Sequence, residues 1–105
     1  MDELSISWTP SAVKQRNQIF DYWNRRNQSL NYSRKLNTLV KDRIQILKKN
    51  PEIGVKTNFE NTRALSLGHY NILYKIYTSK IIITGLWDNR QDPEKILKFF
   101  RENKD

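Results

Sequence analysis

The sequence predicts an α+β domain, a helical hairpin laid on one face of a small antiparallel β-sheet in the order β-α-α-β-β-β-α. Three observations predict it. The chain opens on a strictly alternating apolar run, Leu4 to Trp8, which is the period of a strand with one buried face. From Ser11 to Lys49 the apolar period becomes helical, interrupted once near Asn27–Asn31. From Arg63 onward alternation returns in three closely spaced runs. At 105 residues this is one domain, residues 1–105, with room for a core that needs no covalent staple.

Each element has its own signal. Thr9 supplies a cap oxygen and Pro10 a pre-set first helical position. From Ser11, Ala12, Val13, Ile19, Phe20, Trp23 and Leu30 recur at helical spacing. The second helix carries Leu36, Leu39, Val40, Ile44 and Leu47, and ends at Asn50-Pro51 with Lys48 and Lys49 suited to its negative terminus. So short a break makes the helices antiparallel, and their two apolar stripes need a common surface, which a sheet supplies. Pro51 to Asn61 reads as a connecting loop. Arg63–Leu67, Tyr70–Tyr77 and Lys80–Asp88 read as strands. Gly68-His69 suits a type II′ hairpin, because glycine adopts positive φ at the first central position. Tyr70, Ile72, Tyr74 and Ile76 are expected on one face, as are Ile81, Ile83 and Trp87. Asp92-Pro93 repeats the cap-plus-proline signal before a short helix bearing Ile96, Leu97, Phe99 and Phe100. Trp8, Trp23 and Trp87 are assigned to the core between sheet and hairpin, with the rim of that core as the alternative place for Trp87.

Composition narrows the chemistry. Without cysteine there is neither a disulfide framework nor a thiolate metal site, and a single histidine, His69, makes no zinc site alone. No metal or cofactor is expected. The longest purely aliphatic run, Ile81–Ile83, is far short of a membrane span, and the chain reads as a soluble cytoplasmic protein. Its net charge of +8 is concentrated: Ser11–Asn50 holds ten Lys or Arg against Asp21 and Asp42. Such asymmetry fits a polyanionic partner (nucleic acid, a machine bound to it, or an acidic protein), and equally a solubilising helix surface.

The segment from Leu67 to Pro93 says most about function. Gly-x-Tyr-x-Ile-x-Tyr, a β-branched strand, and then Trp87-Asp88-Asn89-Arg90-Gln91-Asp92-Pro93 resemble the C-terminal half of RelE/ParE-family toxins from bacterial toxin–antitoxin modules. The element order is similar to that family across the whole chain. The phrases around Tyr22-Trp23, Tyr32 and Leu47-Lys48-Lys49-Asn50-Pro51-Glu52-Ile53-Gly54 resemble its ParE branch.

The resemblance implies one of two activities. RelE-type members cleave mRNA on the ribosome by attack of a 2′-hydroxyl on the adjacent phosphate, chemistry that needs a base, cations and an acid. ParE-type members inhibit DNA gyrase. Where RelE-like nucleases carry a basic residue after the strand aromatic, this chain has Asn71; where they carry a C-terminal tyrosine, it has Ile96. Arg90 matches the arginine after the last strand, and Arg63 corresponds to a basic residue on an earlier one. These departures favour the ParE-like reading. The resemblance thus implies a plasmid-stabilisation toxin neutralised by a cognate antitoxin, with RelE-like cleavage and a non-toxic nucleic-acid-binding module as alternatives.

The surface expected to act on the target comprises Arg90, Arg63, Asn71, Trp87 and Asp88, with Arg90, Arg63 and His69 the candidates for any catalysis. Arg90 reads equally as a brace between Asp88 and Asp92, and His69 as a solvated turn residue. Tyr70, Tyr74 and Tyr77 suit base stacking or plain strand packing. Arg25, Arg26, Arg34, Lys35 and Arg43 are expected to dock the antitoxin, as an amphipathic helix on the hairpin with a strand added at the sheet edge, in a toxin–antitoxin hetero-oligomer.

Overall fold

A computed structural model describes residues 4–90 and 93–102. It contains β1 (Ser5–Trp8), α1 (Pro10–Asn27), α2 (Asn31–Lys49), β2 (Val55–Lys56), β3 (Arg63–Leu67), β4 (Tyr70–Ile76), β5 (Lys80–Asp88) and α3 (Pro93–Glu102). The five strands form one sheet in the order β1-β5-β4-β3-β2. Asp92, expected to cap α3, lies outside the described residues, as do the side chains of Ile96, Leu97, Phe99 and Phe100.

The sheet is mixed rather than antiparallel. β1 runs parallel to β5, Ser5 beside Lys80 and Trp8 beside Ile83. Alternation in a strand reveals which face is buried but not which neighbour it takes, and the helical hairpin after β1 is a crossover that allows a parallel return. β2 was expected to be loop. Its two residues pair with Ala64 and Arg63 at the far edge.

Local chemistry fixes the helix ends. Thr9 Oγ1 accepts from the Ala12 N–H at 3.1 Å, and α1 closes on Gln28 in the left-handed region at φ 49°. Ser33 Oγ on α2 then donates to Asn24 Oδ1 on α1, tying the two helices across their turn. Gly68 has φ 63°, and only this position of the two-residue β3–β4 turn is positive, as the II′ geometry requires.

The core lies between the hairpin and one sheet face. Ala12, Leu36, Val40 and Leu47 from the helices meet Leu67, Tyr70, Ile72, Tyr74, Ile81, Ile83 and Leu86. Trp8, Ile19 and Phe20 pack at its margin, partly buried. Trp8, Trp23 and Trp87 are all half-buried rim residues rather than core. Their large amphipathic rings cover the edges of a core that smaller aliphatic side chains already fill.

One irregularity changes which residues face the helices. Leu73 pairs with Gly85, but the next residue, Tyr74, pairs with Ile83, so Thr84 is an extra residue in β5. Beyond this bulge the alternation is shifted. Leu86 and Asp88 join Ile81 and Ile83 opposite Tyr74, Ile72 and Tyr70, while Trp87 pairs with Asn71 on the other face. The expected grouping of Ile81, Ile83 and Trp87 is therefore wrong, because strict alternation cannot register an inserted residue. Gln15 of α1 accepts the Leu86 N–H at 2.8 Å just past the bulge.

At the other end of the sheet a buried tyrosine ties down the loop after α2. The Tyr74 hydroxyl donates to the Pro51 carbonyl at 2.7 Å and accepts from the Gly54 N–H at 2.9 Å. A Cβ on Gly54 would sit 2.5 Å from that oxygen and 2.9 Å from the Ala64 carbonyl. Gly54→Ala is expected to destabilise the protein by about 1–3 kcal/mol through overpacking. Tyr74→Phe is expected to cost about the same through the orphaned Gly54 N–H. Urea unfolding of both variants checks this, and wild-type midpoints would refute the brace.

Candidate functional site

The end of β4 and β5 carries the polar residues singled out from the sequence. Tyr70 pairs with Asp88 and Asn71 with Trp87, so the bulge sets Asp88 on the helix side next to the buried Tyr70. Asp88 holds Arg90 by both carboxylate oxygens: Nε donates to Oδ1 at 3.0 Å and Nη2 to Oδ2 at 2.9 Å. The Arg90 backbone N–H also donates to Oδ1, at 2.8 Å. This fork-on-carboxylate geometry lowers the Asp88 pKa and raises that of Arg90. Arg90 remains half exposed while Asp88 is largely shielded. The arginine is thus a brace and an exposed cation at once.

Around this pair the sheet end is finished by side chains and turn backbone. Asn71 Nδ2 donates to Asn89 Oδ1, and the Asn89 N–H donates to the His69 carbonyl at 2.7 Å. His69 is exposed at the turn tip.

α1 builds the opposite wall, and that wall was not read from the sequence as part of a site. Trp23 Nε1–H donates to the Tyr70 hydroxyl at 2.7 Å. The Trp23 ring is edge-on to Tyr22 with centroids 5.1 Å apart, and tilted against Tyr32 at 4.7 Å. Arg26 lies over Trp23 at 5.6 Å and donates to the Tyr22 hydroxyl at 3.1 Å. Burial is the main reason the Tyr70 phenol is raised above its ordinary value, outweighing the Trp23 hydrogen bond that pulls it down. It therefore stays protonated at neutral pH. The signal was there in part, since Tyr22-Trp23 and Tyr32 stood out as a phrase, but which strand residue they meet depends on the bulge.

Between α1, the end of β5 and α3 runs an open groove of about 790 Å³. Ile19, Tyr22, Trp23, Leu86 and Trp87 give it apolar walls, and Arg26, Arg90, Lys95 and Lys98 give it cations. Asp88 and Glu102 also line it.

Arg63 does not join this site. It sits in the row of Tyr74, four residues along β3 from the row of Tyr70, about 13 Å away at strand spacing. Its Nη1 donates to the carbonyls of Gly54 at 2.8 Å and Glu52 at 3.2 Å. Of the residues expected to dock a partner, Arg25, Arg26, Arg34 and Lys35 are exposed around the α1–α2 turn. Arg43 lies further along α2, where its Nε donates to the Ser66 carbonyl of β3 at 3.1 Å. Among the described residues no three His, Asp or Glu side chains gather as a metal-binding group.

A mixed sheet under a basic helical hairpin, with an arginine on the loop after its longest strand, is the architecture of a small toxin of the RelE/ParE type. A family model described as "ParE toxin of type II toxin-antitoxin system, parDE" matches residues 6–93. The chain belongs to that family. A solved structure described as "Chromosomal ParDE TA system from P. aeruginosa" shares the fold, with a TM-score of 0.71 at 17% identity, covering 82% of this chain and 96% of that one. No curated relative matches.

The Asp88–Arg90 pair sets a pH dependence. Because folding lowers the Asp88 pKa, its contribution is present above the unfolded value of about 3.9 and is lost as pH falls through the folded value. Arg90→Ala is therefore expected to be slightly less stable than wild type at neutral pH and indistinguishable from it in acid. Urea midpoints across pH check this, and a gap that keeps its neutral-pH size throughout the acid range would point to a different role for Arg90.

Proposed function

We propose that this ParE-family toxin arrests growth by acting on DNA gyrase rather than by cleaving mRNA. The observation that carries this reading is how the candidate cleavage groups are already engaged. Arg90 is forked onto Asp88, and Arg63 lies four residues along β3 from the row of Tyr70 and Asp88, with Nη1 on two carbonyls. Asn71 is bonded to Asn89, and His69 is an exposed turn residue. The buried Tyr70 phenol resists the deprotonation that a general base would need. A phosphoryl-transfer centre wants several cations and two proton carriers around one phosphate, and this dispersed set favours recognition over chemistry. No helix among the described residues is long and apolar enough to cross a membrane.

A cognate acidic antitoxin completes the proposal. Arg25, Arg26, Arg34 and Lys35 make a concentrated, solvated positive patch at the hairpin turn, and the adjoining groove offers apolar walls beside it. A disordered acidic segment that folds as an amphipathic helix there would bury the apolar surface and neutralise the charge together.

Induced expression in bacteria, with DNA, RNA and protein synthesis followed separately, tests the target. Early loss of DNA synthesis with an SOS response is expected, whereas immediate loss of translation with cleaved messages would overturn the reading. In the same assay Arg90→Ala is expected to lose most of its toxicity at matched expression. Reversing Arg25, Arg26, Arg34 and Lys35 to Glu is expected to slow antitoxin association about tenfold or more at low salt, an effect that fades as salt rises. Association rates from stopped-flow mixing at several ionic strengths check this, and an unchanged rate would make the patch a solvated surface.

A further inference from the structure

A second concentration of positive charge lies at the end of the sheet away from Arg90. Lys56, Arg63 and Lys75 line one pocket of about 610 Å³ together with Phe59, Ile76 and Tyr77, and no Asp or Glu lines it. None of the three cations forms a salt bridge among the described residues. Lys56 and Arg63 are cross-strand partners on one face, so two like charges stand side by side. That arrangement is unfavourable unless an anion answers it.

The pocket is also preorganised. Its wall is the turn from Thr57 to Thr62, closed by the Thr57 N–H to the Thr62 carbonyl at 3.1 Å and by Thr57 Oγ1 to the same carbonyl at 2.9 Å. Thr62 Oγ1 donates to the Glu60 carbonyl, and Asn61 takes the left-handed conformation at φ 52° to complete the turn. Arg63 is fixed through Nη1 by the Glu52 and Gly54 carbonyls, while Nε and Nη2 make no hydrogen bond among the described residues. Those two nitrogens form the edge of a guanidinium that grips two phosphate oxygens side by side. The ring of Tyr77, 48% exposed, stands beside the cations.

We propose that this pocket binds the backbone of single-stranded nucleic acid, with Arg63, Lys56 and Lys75 on the phosphates and Tyr77 stacking on a neighbouring base. A run of Asp and Glu would answer the charge but offers no flat ring for an exposed tyrosine, whereas phosphate and base together account for both features. The site is separate from the groove at Arg90, so neither proposal depends on the other.

Fluorescence polarisation of a labelled oligothymidylate with the full chain tests it, with a labelled polyglutamate of equal length as second probe. The affinity for the oligothymidylate is expected to fall with salt at a log–log slope of about −2, as three phosphate contacts to a single strand require. Lys56→Gln with Lys75→Gln is expected to weaken binding about tenfold, and Tyr77→Ala by a similar factor that Tyr77→Phe restores. Arg63→Lys keeps the charge and loses the fork, so it is expected to bind more weakly than wild type while circular dichroism shows it folded. Arg25→Gln with Arg26→Gln, remote from the pocket, is expected to leave the affinity unchanged. The proposal is overturned if binding follows Arg25 and Arg26 instead, if the pocket variants bind as wild type does, or if polyglutamate binds as tightly with the same dependence on the pocket. None of these results would alter which macromolecular synthesis stops first in cells.

Discussion

The extra residue in β5 is the constraint on which the functional end of this fold depends. β5 lies inside the sheet, flanked by β1 and β4 and facing α1, and Ile81 and Ile83 are wholly buried. Had alternation continued unbroken, Trp87 would lie under the helices and Asp88 on the opposite face. With Thr84 inserted, Leu86 completes the core and Asp88 comes up beside Tyr70, where it can hold Arg90. Gln15 contributes by accepting the Leu86 N–H, a donor on the side of β5 that β1 leaves uncovered once it ends at Trp8. A sheet interior tolerates such a discontinuity only when its freed backbone groups find partners.

The two ends of the sheet are consequently built on different logic. At one end the strands finish in a carboxylate–guanidinium clasp and an aromatic cluster reaching down from α1, which leaves a groove with both apolar and charged character. At the other end, Tyr74 and Arg63 make hydrogen bonds to the backbone of the segment after α2, so that a loop without regular structure is tied to the sheet. Tyrosine suits this task because its ring fills the core while its hydroxyl serves both a donor and an acceptor at the rim.

Much of this was legible in the residues. Thr9-Pro10, the polar break near Asn27 and Gly68-His69 have local chemistry that admits few alternatives, and helix starts and turn type followed from them. Family membership followed from the order and spacing of the last two strands. What was not legible depends on long-range geometry. The parallel pairing of β1 and the two-residue β2 are decided by where the hairpin returns the chain, not by either segment's own sequence. The bulge has no local marker stronger than Thr84-Gly85, and with it went the correct face for Asp88 and Trp87. Arg63 stands beside Arg90 in the sequence reading because each corresponds to a basic residue of the family it resembles, whereas register sets them at opposite ends of the sheet.

The pairing of β1 with β5 also bears on how the chain reaches this state. Ser5 must meet Lys80 before that ladder exists, so the pairing closes most of the chain into one loop. The hairpins β3–β4 and β4–β5 close over only two or three residues and can form while β1 is still unattached. Non-local closure of this kind raises the contact order and slows folding relative to a helical protein of equal size. Until that closure the outer side of β5 stays uncovered, and a chain lacking its first strand would present there an open edge rich in isoleucine.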